Sequence, residues 1–329
     1  MKITTHPENI STYKKYIEVV SSIEAYLKDK GYLKLDLPVL SPALIPESYL
    51  EVFETEFRYF DIKEKLYLTP SPELFIKRLL AAGIGDCYYM NKSFRNSEPH
   101  SPKHEPEFIM LELYKVGEDY KYMAQEVLNM LQYIAKSRQI VYQGKAISLE
   151  KWEEFTIAEV FKKYADISEE ELFDHTLFLA KAKEKGYVVD GFTYEDLWSQ
   201  IYTQEIDSHL GTNGYPTVLF DYPVEFAALS KPNLDGRTSQ RFEFYIQGVE
   251  LGNCYSELTD WKLQEERFGN EYEERKKSGK IDHPVDWGFI EALKQGLPES
   301  TGIAIGVERL AMIFADVSNL ADLKLITLE

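Results

Sequence analysis

Hydrophobic residues recur every three to four positions near the N-terminus, and this spacing predicts a first helix over residues 10–30. Gly31 follows that run as a typical C-terminal stop. Apolar and polar residues then alternate from Leu33 to Val39, which predicts a strand. Pro38 inside the run favours an edge or interface position, because proline cannot donate to the ladder of a central strand.

The same pattern predicts the elements of the remaining chain. A second helix is predicted to begin at Ser71, with Pro72 at its first position and Glu73 in its first turn. The predicted strands cover residues 86–95, 107–116, 217–220 and 242–246, and the predicted helices cover residues 118–138, 151–164 and 261–278. With no long linker or internal repeat, residues 1–329 are predicted to form a single catalytic domain with a helical insertion at about 150–212.

Composition narrows the class of protein. The chain has 44% apolar residues, enough for a buried core, and no apolar run of membrane-spanning length or signal-peptide type. A cytoplasmic protein without a membrane partner is therefore expected, with Cys87 and Cys254 as free thiols. The net charge of -18 argues against DNA and against a large RNA surface, and it suits a basic protein partner. Acidity that serves only solubility remains an open alternative.

Two carboxylates are predicted to share one sheet face. A tight turn that pairs Ile246 with Val249 places Glu250 opposite Tyr245, and alternation along the strand puts Glu243 on the same face. Paired carboxylates together with phosphate oxygens form a common Mg²⁺ environment. The alternative is that both are solvated glutamates on an exposed strand.

Two cassettes more than two hundred residues apart carry a family resemblance. Residues 94–96 with 104–112 resemble motif 2 of the class II aminoacyl-tRNA synthetases, and residues 306–310 resemble motif 3. Residues 250–258 resemble the lysine-type subgroup. No P-loop is present, so nucleotide binding rests on these cassettes. The resemblance implies an α+β fold with an antiparallel sheet flanked by helices.

The resemblance implies an ATP and Mg²⁺ site. The catalytic residues would be Arg95, which contacts the α-phosphate and the amino-acid carboxylate, and Arg309, which contacts the γ-phosphate. Phe108 would stack on adenine, opposite Arg309. Glu243 and Glu250 would hold Mg²⁺. The remaining ATP-binding positions would be Asn96, Ser97, Glu98, His104, Glu105, Leu251, Asn253 and Gly306.

The resemblance also implies an amino-acid pocket suited to a lysine-like substrate. Glu257 would bind the ε-ammonium, and Tyr114 would hydrogen-bond the same group. Ser71 and Glu73 would hold the backbone end. The implied pocket residues are Ser71, Pro72, Glu73, Tyr114, Glu257 and Ala304. Ala304 stands where lysyl-tRNA synthetases carry glycine, and its methyl group favours a β-amino acid.

The whole chain resembles the stand-alone family that ligates (R)-β-lysine, or lysine, to a lysine side chain of elongation factor P. About thirty residues precede the first strand, so no anticodon-binding domain is expected, and tRNA is not expected as the acceptor. A homodimer is implied by the resemblance. Three departures stand out: Ser97 where an acid is usual, Glu105 in place of asparagine, and Glu308 in place of aspartate. Glu105 would add negative charge close to the phosphates.

Two other functions remain open at this point. A minimal lysyl-tRNA synthetase, or another carrier-directed aminoacyl ligase, would share both cassettes. A non-catalytic synthetase-like regulator would be expected to lose ATP-site residues, and the presence of Arg95, Glu243, Glu250 and Arg309 counts against it.

Overall fold

The protein is described by a computed structural model that covers residues 2–97 and 101–328. The chain divides into two compact units. The terminal unit comprises the residues up to Asp119 together with those from Glu257 onward, and the central unit comprises Tyr120–Ser256. Cys87 and Cys254 are both buried and free, as expected. Within the described residues, no helix combines the length and apolarity needed to cross a bilayer.

The strands of the described chain are short to medium in length. They are β1 (Ile3–Thr5), β2 (Leu33–Lys34), β3 (Leu40–Ser41), β4 (Phe53–Tyr59), β5 (Ile62–Leu68), β6 (Cys87–Phe94), β7 (Glu107–Val116), β8 (Gln139–Tyr142), β9 (Lys145–Ser148), β10 (Glu153–Thr156), β11 (Thr217–Pro223), β12 (Thr238–Ile246), β13 (Val249–Ser256), β14 (Ser300–Gly306) and β15 (Ile326–Leu328).

The α-helices lie between these strands, with α4 to α7 in one run and α8 and α9 in another. They are α1 (Ile10–Asp29), α2 (Glu73–Ala81), α3 (Tyr120–Ala135), α4 (Ile157–Ala165), α5 (Glu169–Phe173), α6 (His175–Glu184), α7 (Tyr194–Ile201), α8 (Trp261–Lys277), α9 (Trp287–Lys294) and α10 (Val307–Ala315). A π-helical turn, Tyr202–Ile206, continues α7, and 3₁₀ turns cover Pro7–Asn9, Asp207–His209, Val224–Phe226 and Leu320–Leu323.

In the terminal unit, four strands lie side by side in the order β14, β7, β6, β2. Strand β7 is antiparallel to both β14 and β6, whereas β2 pairs in parallel with β6. Helices α1 and α10 pack against each other, while α2 packs against α9. A separate hairpin of β4 and β5 extends from β3. The long β6–β7 pairing spans Cys87–Phe94, so it fixes both flanks of the loop that follows Phe94.

In the central unit, the strands run in the order β10, β11, β12, β13, with β12 antiparallel to both neighbours. Helices α4 to α7 enclose an aromatic core in which Phe161, Phe178 and Trp198 are in contact. Capping boxes at Thr156 and Ser168 begin α4 and α5, because each side chain accepts from the backbone N–H three residues later.

The α+β class and the antiparallel-dominated sheet flanked by helices are confirmed. Helices α1 and α8 match their predicted spans within one residue, as do β6 and β7. The helix predicted at 151–164 was wrong at its start, because residues 153–156 form β10 before α4 begins. The strand predicted at 33–39 is reduced to the two-residue β2. The single-domain assignment with its insertion at about 150–212 stays a prediction.

Candidate functional site

Arg95 follows the last residue of β6 and is held there by its backbone. Its N–H donates to the carbonyl of Pro106 at 2.9 Å, which closes the base of the loop between β6 and β7. The guanidinium carbon lies 5.5 Å from the ring centroid of Phe108. Its Nε is buried and has no hydrogen-bond partner among the described residues. A buried donor without a partner is costly, so this guanidinium is suited to receive an anionic ligand.

Asn96 and Ser97 turn the chain away from the strand. Asn96 donates from its backbone to the carbonyl of Glu51 at 2.9 Å and from its side chain to that of Val52 at 3.2 Å. Ser97 adopts a left-handed backbone with φ of 57°, and its N–H donates to the Asn96 side chain at 2.9 Å. Ser97, which stands where an acid is usual, therefore forms part of a turn. Glu98, the other acid proposed for the ATP site, lies outside the described residues.

The far side of the loop is tied to the C-terminal part of the terminal unit. His104 Nδ1 lies 2.7 Å from Ser101 Oγ, and Arg309 Nε donates to the carbonyl of Lys103 at 3.0 Å. Glu105 forms an ion pair with Lys324. Its negative charge therefore already has a cation partner, which removes the objection that it would repel phosphates.

Glu308 has a structural role. An aspartate at this position would have to make the same contact with a shorter side chain. Both of its carboxylate oxygens accept from the backbone N–H of Ile109, at 2.8 and 2.9 Å. Burial raises the pKa of Glu308 to about 7, and the hydrogen bond from Ile109 opposes that rise. The contact joins the first turn of α10, which carries Arg309, to the strand that carries Phe108.

The predicted amino-acid pocket converges on a residue that the sequence analysis did not select. Ser71 donates its hydroxyl to Glu112, and the Tyr114 hydroxyl donates to Glu112 Oε2 at 3.0 Å. Burial and then the nearby charge of Glu73 raise the pKa of Glu112 to about 8. Because the Tyr114 hydroxyl donates its hydrogen bond to Glu112, the lone pairs of the Tyr114 oxygen remain available to a cationic group.

A buried lysine joins the other two pocket acids. Lys77 Nζ lies 2.6 Å from Glu257 Oε2 and also pairs with Glu73, one helical turn earlier on α2. Burial alone would lower the pKa of Lys77, but the two carboxylates outweigh it and raise that pKa. Burial raises the pKa of Glu257 to about 7, although Lys77 pulls it downward. Pro72 precedes α2 directly and sets the start of this helix.

Small residues on β14 face these acids. In the β14–β7 register, Gly302 pairs with Tyr114 and Ala304 pairs with Glu112. A Cβ at Gly302 would stand 2.4 Å from a Tyr114 ring carbon and 2.5 Å from Glu257 Oε1. Gly302 therefore makes room for the pocket side chains. A Cβ added at Gly306 would stand 3.7 Å from the Arg309 side chain, which is an ordinary contact distance.

Glu47 connects the two halves of the terminal-unit site. Burial raises the pKa of its carboxyl to about 7, with Arg95 lowering it and Glu73 raising it. Both residues therefore act electrostatically on the same carboxylate, so the guanidinium of Arg95 and the acids of the pocket belong to one charged cluster.

The predicted carboxylate pair lies in the central unit. Tyr245 pairs with Glu250 and Ile246 with Val249, as predicted. A bulge then follows, because Phe244 pairs with Gly252 and leaves Leu251 as the extra residue. Asn253 consequently pairs with Glu243. The bulge thus brings Glu250 and Asn253, although three residues apart, onto the face of Glu243.

The oxygen atoms on this face fit a hard divalent cation in chemical type. Arg241 Nη2 lies 2.7 Å from Glu243 Oε1, and Tyr245 donates to the other oxygen of Glu243. Arg241 also donates from Nε to Asn253 at 3.0 Å. Each carboxylate oxygen retains a lone pair after one hydrogen bond, so Glu243 can serve a metal while it keeps these partners. Among the described residues, no group of three or more His, Cys, Asp or Glu side chains is arranged as a metal site.

The sequence analysis missed Glu112, Lys77 and Glu47. Glu112 carried a signal, since it is an acid between Leu111 and Leu113 in the middle of β7. Lys77 follows Glu73 by four residues among the apolar residues of α2, which is the spacing of a helical ion pair. Glu47 lies outside helices and strands, and no periodicity marks it.

Known proteins resemble the chain along nearly its whole length. A sequence profile of tRNA synthetases class II (D, K and N) matches residues 1–326. A lysine–tRNA ligase from Carboxydothermus hydrogenoformans is 32% identical over 99% of this chain and 67% of its own length. An elongation factor P–(R)-β-lysine ligase from Proteus mirabilis is 34% identical over 95% of this chain and 94% of its own. The ligase of that type from Enterobacter sp. is 33% identical over 98% and 96%. The chain spans about two thirds of the length of the lysine–tRNA ligases it matches.

Proposed function

Because the chain belongs to the class II tRNA synthetases of the aspartate, lysine and asparagine group, we propose that it uses ATP to activate lysine or (R)-β-lysine and transfers the amino acid to a lysine side chain of elongation factor P. The observation that carries this proposal is the charge of the pocket. Two carboxylates, those of Glu73 and Glu257, pair with the ammonium of Lys77, and a third, that of Glu112, interacts electrostatically with the same cluster.

Charge balance selects the substrate within that group. Above the pKa of Glu112 all three acids are ionised, and the pocket then carries two negative charges beyond the one that Lys77 neutralises. Buried charges are stable only when they are paired. Lysine and β-lysine each bring two ammonium groups, which match this excess, and their carboxylate suits Arg95. Aspartate and asparagine bring a single ammonium, so one acid would remain uncompensated.

The proposed chemistry proceeds in two steps. In the first, a carboxylate oxygen of the amino acid attacks the α-phosphorus of ATP, and the bond to pyrophosphate breaks. Arg95 stabilises the negative charge that develops on the α-phosphate, and Arg309 binds the departing phosphates. Glu243 and Glu250 would hold Mg²⁺, which supplies further neutralisation of phosphate charge. In the second step, an acceptor amine attacks the activated carbonyl carbon, AMP leaves, and the amine loses a proton.

The resemblance to elongation factor P ligases carries the choice of acceptor. Those from Proteus mirabilis and Enterobacter sp. are 34% and 33% identical to this chain. A minimal lysyl-tRNA synthetase is the second candidate, because lysine–tRNA ligases are 32–33% identical to the chain, nearly as much as the elongation factor P ligases. We also propose a cytoplasmic homodimer. Apolar residues of the short strands β2 and β3 are exposed, Leu33 by 49% and Leu40 by 42%, and a partner subunit would cover them.

One series of incubations tests the proposal. Pyrophosphate exchange with lysine, β-lysine, aspartate and asparagine measures activation, and exchange only with the first two is the expected result. Labelled product is then offered to elongation factor P, to the same protein with its acceptor lysine replaced by arginine, and to bulk tRNA. Label on the unmodified protein alone supports the ligase. Label on tRNA would support the minimal lysyl-tRNA synthetase. Exchange with aspartate would contradict the argument that the pocket requires two ammonium groups.

A further inference from the structure

Lys77 is an ammonium enclosed by protein. Only 2% of its side chain is exposed, although lysine is rarely buried to this degree without a specific partner. Two of its three protons have carboxylate partners, Glu257 at 2.6 Å and Glu73. The ring of Phe289, 5.8 Å from Nζ, lies against its remaining side. Solvent therefore contributes little to the stability of this charge, and the two carboxylates supply it.

Glu257 is held by one oxygen and open at the other. Its Oε2 pairs with Lys77, whereas its buried Oε1 has no hydrogen-bond partner among the described residues. Oε1 lies beside the space that Gly302 leaves empty, 2.5 Å from where a Cβ would stand. A buried carboxylate oxygen without a partner is costly, so this atom is placed for a ligand donor.

We propose that Lys77 is a positioning residue that sets the specificity of the amino-acid pocket: by pairing with Glu257 and Glu73 it fixes both carboxylates and leaves one oxygen of Glu257 for the substrate ammonium. This inference rests on the proposed function, since it concerns how the same pocket recognises its substrate. Lys77 itself does not contact the substrate. It acts through the charge and orientation of Glu257 and Glu73.

The loss of Lys77 should affect Glu257 in a defined direction. Glu257 would stand as a buried carboxylate with no fixed counter-charge, and such a group takes up a proton. A protonated carboxyl cannot neutralise an ammonium, so the amino acid would bind weakly at neutral pH and regain affinity only as pH rises. A purely structural lysine would instead lower stability, with no selective effect on one substrate and no shift of the pH profile.

The test compares Lys77→Met, which keeps the length of the side chain and removes its charge, with Lys77→Arg. Lys115→Met is the matched control, because Lys115 pairs with Asp86 at 2.6 Å in the same unit, outside the pocket. We expect Lys77→Met to raise KM for lysine or β-lysine by about tenfold or more, leave KM for ATP within about twofold, and move the acid limb of kcat/KM to higher pH. Lys77→Arg should recover part of the loss, and Lys115→Met should resemble the wild type.

Equal changes in both KM values, or an unmoved pH profile, would overturn the proposal. If Lys77→Met does not fold, the double variant Lys77→Met with Glu257→Gln decides, since removal of both partners of a buried pair is better tolerated than removal of one. A double variant that melts above the single variant supports the pairing, and one that melts no higher overturns it. If the wild type itself activates neither lysine nor β-lysine, the proposed function fails, while this comparison of melting temperatures still tests the pairing separately.

Discussion

Arg95 is the residue on which the proposed activation depends most directly. Its buried Nε lacks a partner among the described residues, and its guanidinium stands over Phe108. Arg95→Ala should lower the rate of pyrophosphate exchange by about a hundredfold or more, because a preorganised donor to the transition-state charge is lost. Arg58→Ala serves as control, since Arg58 is 71% exposed and pairs only with Glu56 on a surface strand. Near-normal exchange in Arg95→Ala would refute the motif 2 assignment.

The acids of the pocket make a second prediction, which concerns pH. Burial and Glu73 raise the pKa of Glu112 to about 8, so this carboxyl is protonated below that pH and cannot neutralise an ammonium. As pH rises through this value, the carboxylate forms and substrate binding improves. We expect kcat/KM for the amino acid to increase between about pH 6 and about pH 8, and Glu112→Gln to flatten that increase. A wild-type profile without an acid limb in this range would contradict the assignment.

Single positions show the limit of reading chemistry from sequence. The motif cassettes identified Arg95, Tyr114 and Glu257, because their types and spacing follow a family pattern. Lys77 was missed, since only the fold shows that a lysine on an apolar helix face meets Glu257 from a distant segment. The departure at Glu105 looked unfavourable because its partner, Lys324, lies more than two hundred residues away in the chain.

Strand β14 is the element that determines how much space the pocket has. Gly302→Ala would place a methyl group 2.4 Å from Tyr114 and 2.5 Å from Glu257, closer than any carbon can approach. We expect this variant to fold and to lose amino-acid activation, with KM for the amino acid raised more than KM for ATP. Gly269→Ala is the control: no atom lies within 4 Å of its added Cβ in helix α8, so it should be active and slightly more stable. Normal KM values in Gly302→Ala would show that the pocket lies elsewhere.

Position 304 on the same strand tests the choice between α- and β-amino acids. Ala304 pairs with Glu112, so its methyl group borders the acid that we assign to one substrate ammonium. Ala304→Gly should shift the ratio of kcat/KM toward α-lysine, by a factor of about ten to a hundred, because a methyl group in a pocket contributes about 1–3 kcal/mol. Measurement of both substrates with the variant and the wild type gives this ratio. An unchanged ratio would leave the preference to another residue.

Elements with strong periodicity were predictable, and irregular ones were not. The helices α1 and α8 and the β6–β7 pair follow their patterns closely. The shared face of Glu243 and Glu250 was also predictable, because a tight turn fixes the register at Ile246 and Val249. The bulge at Leu251 was not predicted, because Gly252 signals a local break in the strand but does not fix which residue is the extra one. As a result, the position of Asn253 beside Glu243 emerges only from the fold.

At the scale of the whole molecule, net charge separates the two possible acceptors. The chain carries -18, with 55 acidic and 37 basic side chains. Protein contacts with nucleic acid depend on cations that replace the counterions of phosphate. A chain with this excess of acid has a long-range field that repels tRNA, whereas a protein acceptor lysine is itself cationic. Net charge therefore predicts weak tRNA binding, which agrees with the proposed protein acceptor.

The net charge predicts that tRNA binds weakly. At about 0.15 M salt, tRNA should bind only in the non-specific range, with a dissociation constant of about 10⁻⁶ M or weaker. Excess tRNA should consequently leave the rate of transfer to elongation factor P unchanged. A full-length lysine–tRNA ligase, measured in parallel, is the positive control for binding and charging. Saturable binding of lysine tRNA well below that range, together with inhibition of transfer, would mean that a local cationic surface outweighs the net charge and that RNA is the acceptor.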